Sequence, residues 1–549
     1  MIFVSFVVLI VLIGSGFVVA QQVTFERIVR ADREPQNWLS YSGTIFNQRH
    51  SLLTQITPAN AKNLELQWVW QARSLEKFEA TALAVDGVLY TLQGPPNNGT
   101  YQVVALDGVT GRPFWTLEYK PANESRPCCG RVSRGLAILG DTLYMGTIDA
   151  HLLAIDAKTG RILWDKQAAK LGEAVTEKYA ITHAPTIVKD KVVVGMAGGD
   201  LGVRAYIAAF DAKNGNELWR FYTIPGSGEK GNETWSGDSW KTGGAGVWNS
   251  GAYDPETNLV YFGTGNPAPD WDGRARLGDN LYSDSVVALD ADTGKLKWHY
   301  QFTAHDEVDY DSTQVPVLVD MEWQGRPRKV MLWANRNGLS YVLDRVTGEF
   351  LLGKPYVRVN WMEGFDKSGR PMRVPGKIPT QEGEVIMPSV LGATNWSPTS
   401  YSPKTGLFYV AAWENTGLIA VQGQFPRPYG VPGTGGTPMG AATLTPNTKK
   451  EEDGFGVIRA LDPKTLERKW EFKMSDITWA GVLTTASDVL FGGGKEGYFF
   501  ALDARNGSLL WKAALGGQIN SGPMSYSING RQYVTVAAGN ALFAFALRQ

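Results

Sequence analysis

Ala105–Trp115 reads ALDGVTGRPFW, and the same pattern returns along the chain. It stands as AIDAKTGRILW from Ala154, AFDAKNGNELW from Ala209, ALDADTGKLKW from Ala288, ALDPKTLERKW from Ala460 and ALDARNGSLLW from Ala501. Weaker copies are VLDRVTGEFLL from Val342 and SYSPKTGLFYV from Ser400. In each strong copy an apolar strand ends at Asp, whose carboxylate can bond turn amides. Thr or Asn followed by Gly, or by Leu466 in the Ala460 copy, then makes the turn, with Gly at positive φ. The next strand brings a Trp at a set distance, free to pack on a neighbouring unit. Between copies lie further strand-like runs, such as TIVKDKVVVGMAG from Thr186 and LVYFGTGN from Leu259. Each repeat thus offers about four strands, and repeats at roughly 40–50 residues point to a β-propeller. Counting all the copies predicts an all-β chain with eight blades. The spacing is uneven, short from Trp115 to Trp164 and long from Trp219 to Trp298. The excess is expected in long loops over one face. Further insertions at 356–387 and 422–447 are too long for connectors and fit functional loops.

The length, 549 residues, allows two to four ordinary domains or one large repeat array. The repeat favours a single propeller domain over 21–549. With 62 Gly, 19 Trp and only 19% charged residues, the composition is that of a turn-rich β protein. A net charge of -1 offers no electrostatic footprint for nucleic acid. Residues 1–20, MIFVSFVVLIVLIGSGFVVA, are uncharged and end in small residues. They read as a signal peptide or a retained anchor, and either places the body outside the cytoplasm. The two cysteines, Cys128 and Cys129, are adjacent. They are either two small buried residues or, oxidised, a strained ring of the kind kept at functional sites.

Several polar residues sit in Gly-rich strand ends. Asp200 follows GMAGG, Asn266 follows YFGTG, and Asp309 and Asp311 lie in TAHDEVDYDST. Three carboxylates and an amide oxygen suit a hard cation, although each alone also fits an ordinary turn. No zinc spacing, nucleotide-binding glycine motif, serine nucleophile elbow or haem-attachment motif is present.

From NWLSYSGTIFNQRHS, beginning at Asn37, to the terminal AAGN, the chain resembles the pyrroloquinoline quinone (PQQ)-dependent alcohol dehydrogenases of the methanol/ethanol dehydrogenase family. The resemblance rests on the Trp-bearing repeat, CCGRVSRGLA from Cys128, DSWKTGGAGVWNSGAYDPETNLVYFGTGNPAPDW from Asp238, and HDEVDYDSTQVPVL from His305. It implies that Cys128 and Cys129 form a disulfide ring on one face of PQQ, with Trp248 stacked on the other. It implies that Arg134 pairs with a PQQ carboxylate, and that Thr182 and the backbone near Gly198 and Gly199 bind another. Glu79, Arg336, Asn395 and Trp479 match further cofactor contacts. Asp200, Asn266 and Asp309 fall on metal positions, and Asp309 also on that of the general base.

Two positions depart from the usual pattern. Asp200 stands where the family usually has Glu, one methylene longer. Asp311 stands where calcium-dependent members have a small uncharged residue and lanthanide-dependent members have Asp. A trivalent ion needs more negative charge, so a lanthanide is favoured, with Ca²⁺ as the alternative. The implied function is periplasmic oxidation of a small primary alcohol to an aldehyde by metal-assisted hydride transfer to PQQ. Electrons would leave to a soluble cytochrome c, and the enzyme could be a homodimer. The competing readings are a calcium-dependent polyol or sugar dehydrogenase and a propeller scaffold without chemistry.

Overall fold

The computed structural model describes residues 22–97, 99–121, 130–169, 178–420, 422, 442–444 and 455–549. The apolar run 1–20, Cys128 with Cys129, and most of the 422–447 insertion lie outside the described residues. Seven four-stranded sheets and one five-stranded sheet make eight blades. A representative blade is an antiparallel meander of Leu83–Val85, Val88–Gln93, Tyr101–Asp107 and Pro113–Tyr119. Burial follows strand order. The first strand is wholly buried, and the fourth alternates exposed and half-buried residues. The first strand therefore lies in the packed interior, and the fourth forms the rim.

The ring is closed by both ends of the chain. Met524–Ile528, Arg531–Ala538 and Ala541–Leu547 form three strands, and Leu64–Gln71 supplies the fourth. Trp68 of that strand occupies the place that the fourth-strand Trp holds elsewhere. Its Nε1 donates to Gly108 O at 3.1 Å in the next blade. The closing blade thus takes its Trp from ahead of the first recognisable copy. The Ser400 copy, by contrast, joins the first two strands of its blade, Ser400–Ser402 and Leu407–Glu414. It is not a blade marker of the same kind.

Each repeat turn is built by its own residues and then covered by its neighbour. Asp107 Oδ1 accepts from Val109 N at 2.9 Å and Thr110 N at 2.8 Å, and Asp156, Asp290 and Asp344 do the same in their turns. The turn Gly adopts positive φ, as at Gly160 (74°). The Trp of the preceding blade lies directly on it: a Cβ on Gly160 would come within 2.6 Å of the Trp115 ring. The same contact pairs Trp68 with Gly111, Trp164 with Gly215, Trp219 with Gly294, Trp298 with Gly348 and Trp470 with Gly507. The indole N–H also docks, Trp115 on Ala157 O at 3.0 Å and Trp219 on Ala291 O at 3.1 Å. The exception fits the rule. The Val342 copy has Leu352 in place of Trp, and the next turn has Leu466 in place of Gly. Leu466 takes φ 55° and is buried in an apolar cluster against which Leu351 and Leu352 also pack. Where no ring covers the turn, a side chain fills the space.

Gly160→Ala should therefore cost about 2–4 kcal/mol, from left-handed strain plus overpacking against Trp115. Gly530 also has positive φ, 77°, but has nothing within 4 Å of a Cβ. Gly530→Ala should cost only about 1 kcal/mol. Urea denaturation of the two variants checks the difference, and equal losses would mean that the ring contact is unimportant.

Candidate active site

The strand order sets which end of the ring carries chemistry. Glu79, Thr182, Trp248 and Trp479 each stand four residues before the first strand of a blade, those strands starting at Leu83, Thr186, Ala252 and Leu483. Arg134, Asp311 and Asn395 precede first strands beginning at Ala137, Val317 and Ser400. Asp200, Asn266 and Arg336 follow second strands ending at Gly195, Gly263 and Ala334. In an antiparallel meander, the start of strand one and the end of strand two lie at the same end. All these residues therefore converge on one mouth of the propeller, opposite the Asp–Gly turns. The long insertions open there too. Met362–Phe365 pairs with Pro371–Arg373 between blades, and Gly417–Ala420 pairs with Glu384–Ile386 and Ala442–Leu444.

One half of the site is built around Arg134, which is only 5% exposed. Its Nη1 donates to Thr182 Oγ1 at 3.1 Å and to Trp248 O at 3.0 Å, and Nη2 lies 3.0 Å from Glu79 Oε2. Its guanidinium sits 5.0 Å from the Trp248 ring centroid and 5.4 Å from that of Trp396. Burial raises the Glu79 carboxyl, and Arg134 and then Lys77 oppose that rise. Trp479 stacks on Trp396 at 6.0 Å, and Lys77 Nζ lies 5.8 Å from the Trp479 ring. Asn395 turns its amide into its own loop, with Nδ2 on Leu391 O at 3.1 Å and Oδ1 accepting from Trp396 N at 3.0 Å.

The other half is acidic. Arg336 Nη2 bonds Asp309 Oδ2 at 3.0 Å, and Nη1 bonds Asp311 Oδ2. Asp311 Oδ1 accepts from Asn266 N at 3.0 Å. That bond requires Gly265, because a Cβ there would come within 2.4 Å of Asp311 Oδ1. Gly199 is likewise packed against Gly246, so backbone rather than side chains separates these loops. Gly198 (φ 113°) starts the short turn that presents Asp200. Asp309 itself sits at φ 61°, a strained conformation for a non-Gly residue that the surroundings must hold. Among the described residues its Oδ1 has no hydrogen-bond partner.

Burial is the main force on these acids. It pushes Asp200 up to about 6, with the Asp311 charge adding to the rise. Burial also holds Asp309 well above the usual carboxylate range. Arg336 opposes this, and Asp311, Asp270 and Asp200 reinforce it. Hard oxygen donors that repel one another around an orphaned carboxylate oxygen fit a cation in chemistry and charge. Among the described residues no three carboxylate, imidazole or thiol groups converge as a self-sufficient metal cage.

The structure thus brings together Glu79, Arg134, Thr182 and Trp248 on one side, and Asn266, Asp309, Asp311 and Arg336 on the other. Cys128 and Cys129 lie outside the described residues. Sequence reasoning missed Trp396, whose ring also lies against Arg134, and Asp270, buried and bonded by Asn266 Nδ2 at 2.8 Å. Asp270 follows Asn266 by four residues in GNPAPDW, a spacing that also fits a bystander turn.

The family model described as PQQ: Glucose/ethanol/alcohol dehydrogenase, beta-propeller domain, matches residues 38–360 and 438–534. This chain belongs to that family. It is 36% identical to the quinoprotein alcohol dehydrogenase PedH of Pseudomonas putida, over 94% of this chain and 88% of that protein. The solved quinohemoprotein alcohol dehydrogenase ADHIIG of Pseudomonas putida HK5 is 35% identical, with a TM-score of 0.86 over 96% of this chain and 82% of that one. A europium-containing methanol dehydrogenase is 30% identical, with a TM-score of 0.85 over 95% of this chain and 100% of that one. The protein is accordingly a PQQ-dependent alcohol dehydrogenase, and the scaffold reading falls away. No helix among the described residues is long and apolar enough to cross a membrane.

In this quinoprotein the Glu79–Arg134 pair is a structural unit. Arg134→Leu should cost the cofactor-free protein about 3–5 kcal/mol by leaving Glu79 buried without its counter-charge. Adding Glu79→Gln should recover part of that loss. Urea denaturation without cofactor measures both, and no recovery in the double variant would remove the pair from the account.

Proposed function

We propose that this protein oxidises a small primary alcohol to its aldehyde with PQQ and one metal ion, and that Asp309 is the general base. The observation that carries this reading is the Asp309 carboxylate. It is held by Arg336 on Oδ2, and among the described residues its Oδ1, at the propeller mouth, has no partner. Burial and neighbouring acids raise its proton affinity, so Oδ1 can take a proton that an ordinary exposed Asp would leave in solution. Arg336 keeps the carboxylate oriented through that transfer. PQQ supplies the two-electron acceptor when bound, and the cation supplies Lewis acidity.

Arg134 and Thr182 present donors suited to a carboxylate of the cofactor, and Trp248 offers a flat face for its rings. Glu79, Asn395 and Trp479 complete that half, with the backbone at Gly198 and Gly199 nearby. Cys128 and Cys129 are assigned to the opposite face of the cofactor. Asp200, Asn266, Asp309 and Asp311 are assigned to the metal. We favour a lanthanide, because Asp311 adds a carboxylate and because the similar methanol dehydrogenase contains europium. One observation favours Ca²⁺ instead: Arg336 already neutralises Asp311. We assign residues 1–20 to export or anchoring, 21–549 to one propeller domain, the protein to the periplasm and its electrons to a soluble cytochrome c. A homodimer is compatible with this reading.

Metal-free protein given PQQ should oxidise ethanol or methanol with a dye acceptor once La³⁺ is added, and less well with Ca²⁺. Asp309→Asn should lower turnover by about 10²–10⁴-fold while PQQ still binds. Full activity in that variant would remove Asp309 from the chemistry. Asp311→Ala should lose activation by La³⁺ more than by Ca²⁺. Unchanged La³⁺ activation would return the site to calcium.

A further inference from the structure

Asn266 is held between two carboxylates. Its backbone N–H donates to Asp311 Oδ1 at 3.0 Å, and its side-chain Nδ2 donates to Asp270 Oδ1 at 2.8 Å. The two ends of an Asn amide have nearly the same shape, so only the neighbours choose which end faces which way. Asp270 Oδ1 takes the NH₂ end, which leaves Oδ1 of Asn266 facing away from Asp270. Asp270 is itself fixed in place. It is 4% exposed and follows Pro269, whose carbonyl accepts from Arg276 Nε at 3.0 Å and Nη2 at 2.8 Å. Burial raises its carboxyl well above the usual range, the Asp200 and Asp311 charges add to the rise and Arg276 opposes it, so it belongs to the same buried acidic group, where a cation would favour its ionised form.

We infer that Asp270 is a positioning residue of the metal cage, which keeps the Asn266 amide oxygen facing the cation and adds a negative charge that favours a trivalent over a divalent ion. The inference rests on the metal reading proposed above. It adds a residue that reaches the cation through another side chain. The partners of metal ligands commonly act in this way, setting both the orientation of the donor and the strength of binding.

The test is isothermal titration of the PQQ-loaded protein with LaCl₃ and, separately, with CaCl₂, with thermal melting alongside. Asp270→Asn keeps an acceptor oxygen for Asn266 but removes the charge. Its La³⁺ affinity should fall about tenfold and its Ca²⁺ affinity less, narrowing the preference. Asp270→Ala removes both acceptor and charge, so affinity for both ions should fall by at least about tenfold. Wild-type affinities in both variants would overturn the inference. So would a lower melting temperature with an unchanged ratio of La³⁺ to Ca²⁺ affinity, which marks a merely structural residue. If the unaltered protein binds neither ion, the metal reading itself fails, and the role of Asp270 fails with it.

Discussion

The contact on which the rest of this protein depends is an indole ring lying flat on a glycine. Six of the fourth-strand Trp rings, those of Trp68, Trp115, Trp164, Trp219, Trp298 and Trp470, cover the turn of the next blade, and that turn carries Gly because a Cβ would meet the ring. Trp68, Trp115, Trp219 and Trp470 also donate the ring N–H to the carbonyl just after the turn's Asp. One side chain thus contributes apolar burial, a satisfied polar group and a defined angle between blades. Repeated around the ring, the contact makes each blade's position a consequence of its neighbour's. The Leu352–Leu466 substitution keeps the space filled when the ring is absent.

That arrangement frees the opposite end. With the tight turns and their Trp lids at one face, the connections that can lengthen lie at the other. Residues entering first strands and leaving second strands converge there from most of the blades. The scaffold is rigid, and the site is a set of strand ends, each held by a sheet. This is the usual way for a β-rich fold to combine loop variation with a fixed geometry.

The two halves of the mouth differ in electrostatic character. Around Arg134 one buried acid faces one buried base, flanked by two indoles, which suits a flat anionic ligand. Around Asp309 several acids face one guanidinium, so the charges are unbalanced. Acids that burial and mutual repulsion push towards protonation are poised either to take a proton or to take a cation. Arg336 joins both possibilities by bonding Asp309 and Asp311 at once.

Much of this was legible in the sequence. The alternation of strand, Asp, turn and Trp is local chemistry, so the all-β class follows from it. The eight blades expected are found, but the Ser400 copy marks no blade of its own and the closing blade carries no copy. The site residues lay in segments whose resemblance to the quinoprotein dehydrogenases is dense, which is why Arg134, Trp248, Asn266 and Asp309 could be named. The eighth blade's Trp was harder to see, because Trp68 precedes its own blade in the chain and joins it only when the ring closes. Asp270 and Trp396 were invisible for a related reason. Both act through space, on Asn266 and on Arg134, and nothing in their local pattern separates them from turn and core residues. The sequence by itself determined the repeating unit, because hydrogen-bonded turns and strand periodicity are set by neighbours along the chain. Only the tertiary structure decided which acids share a buried volume, because their repulsion depends on distances that closing the propeller creates.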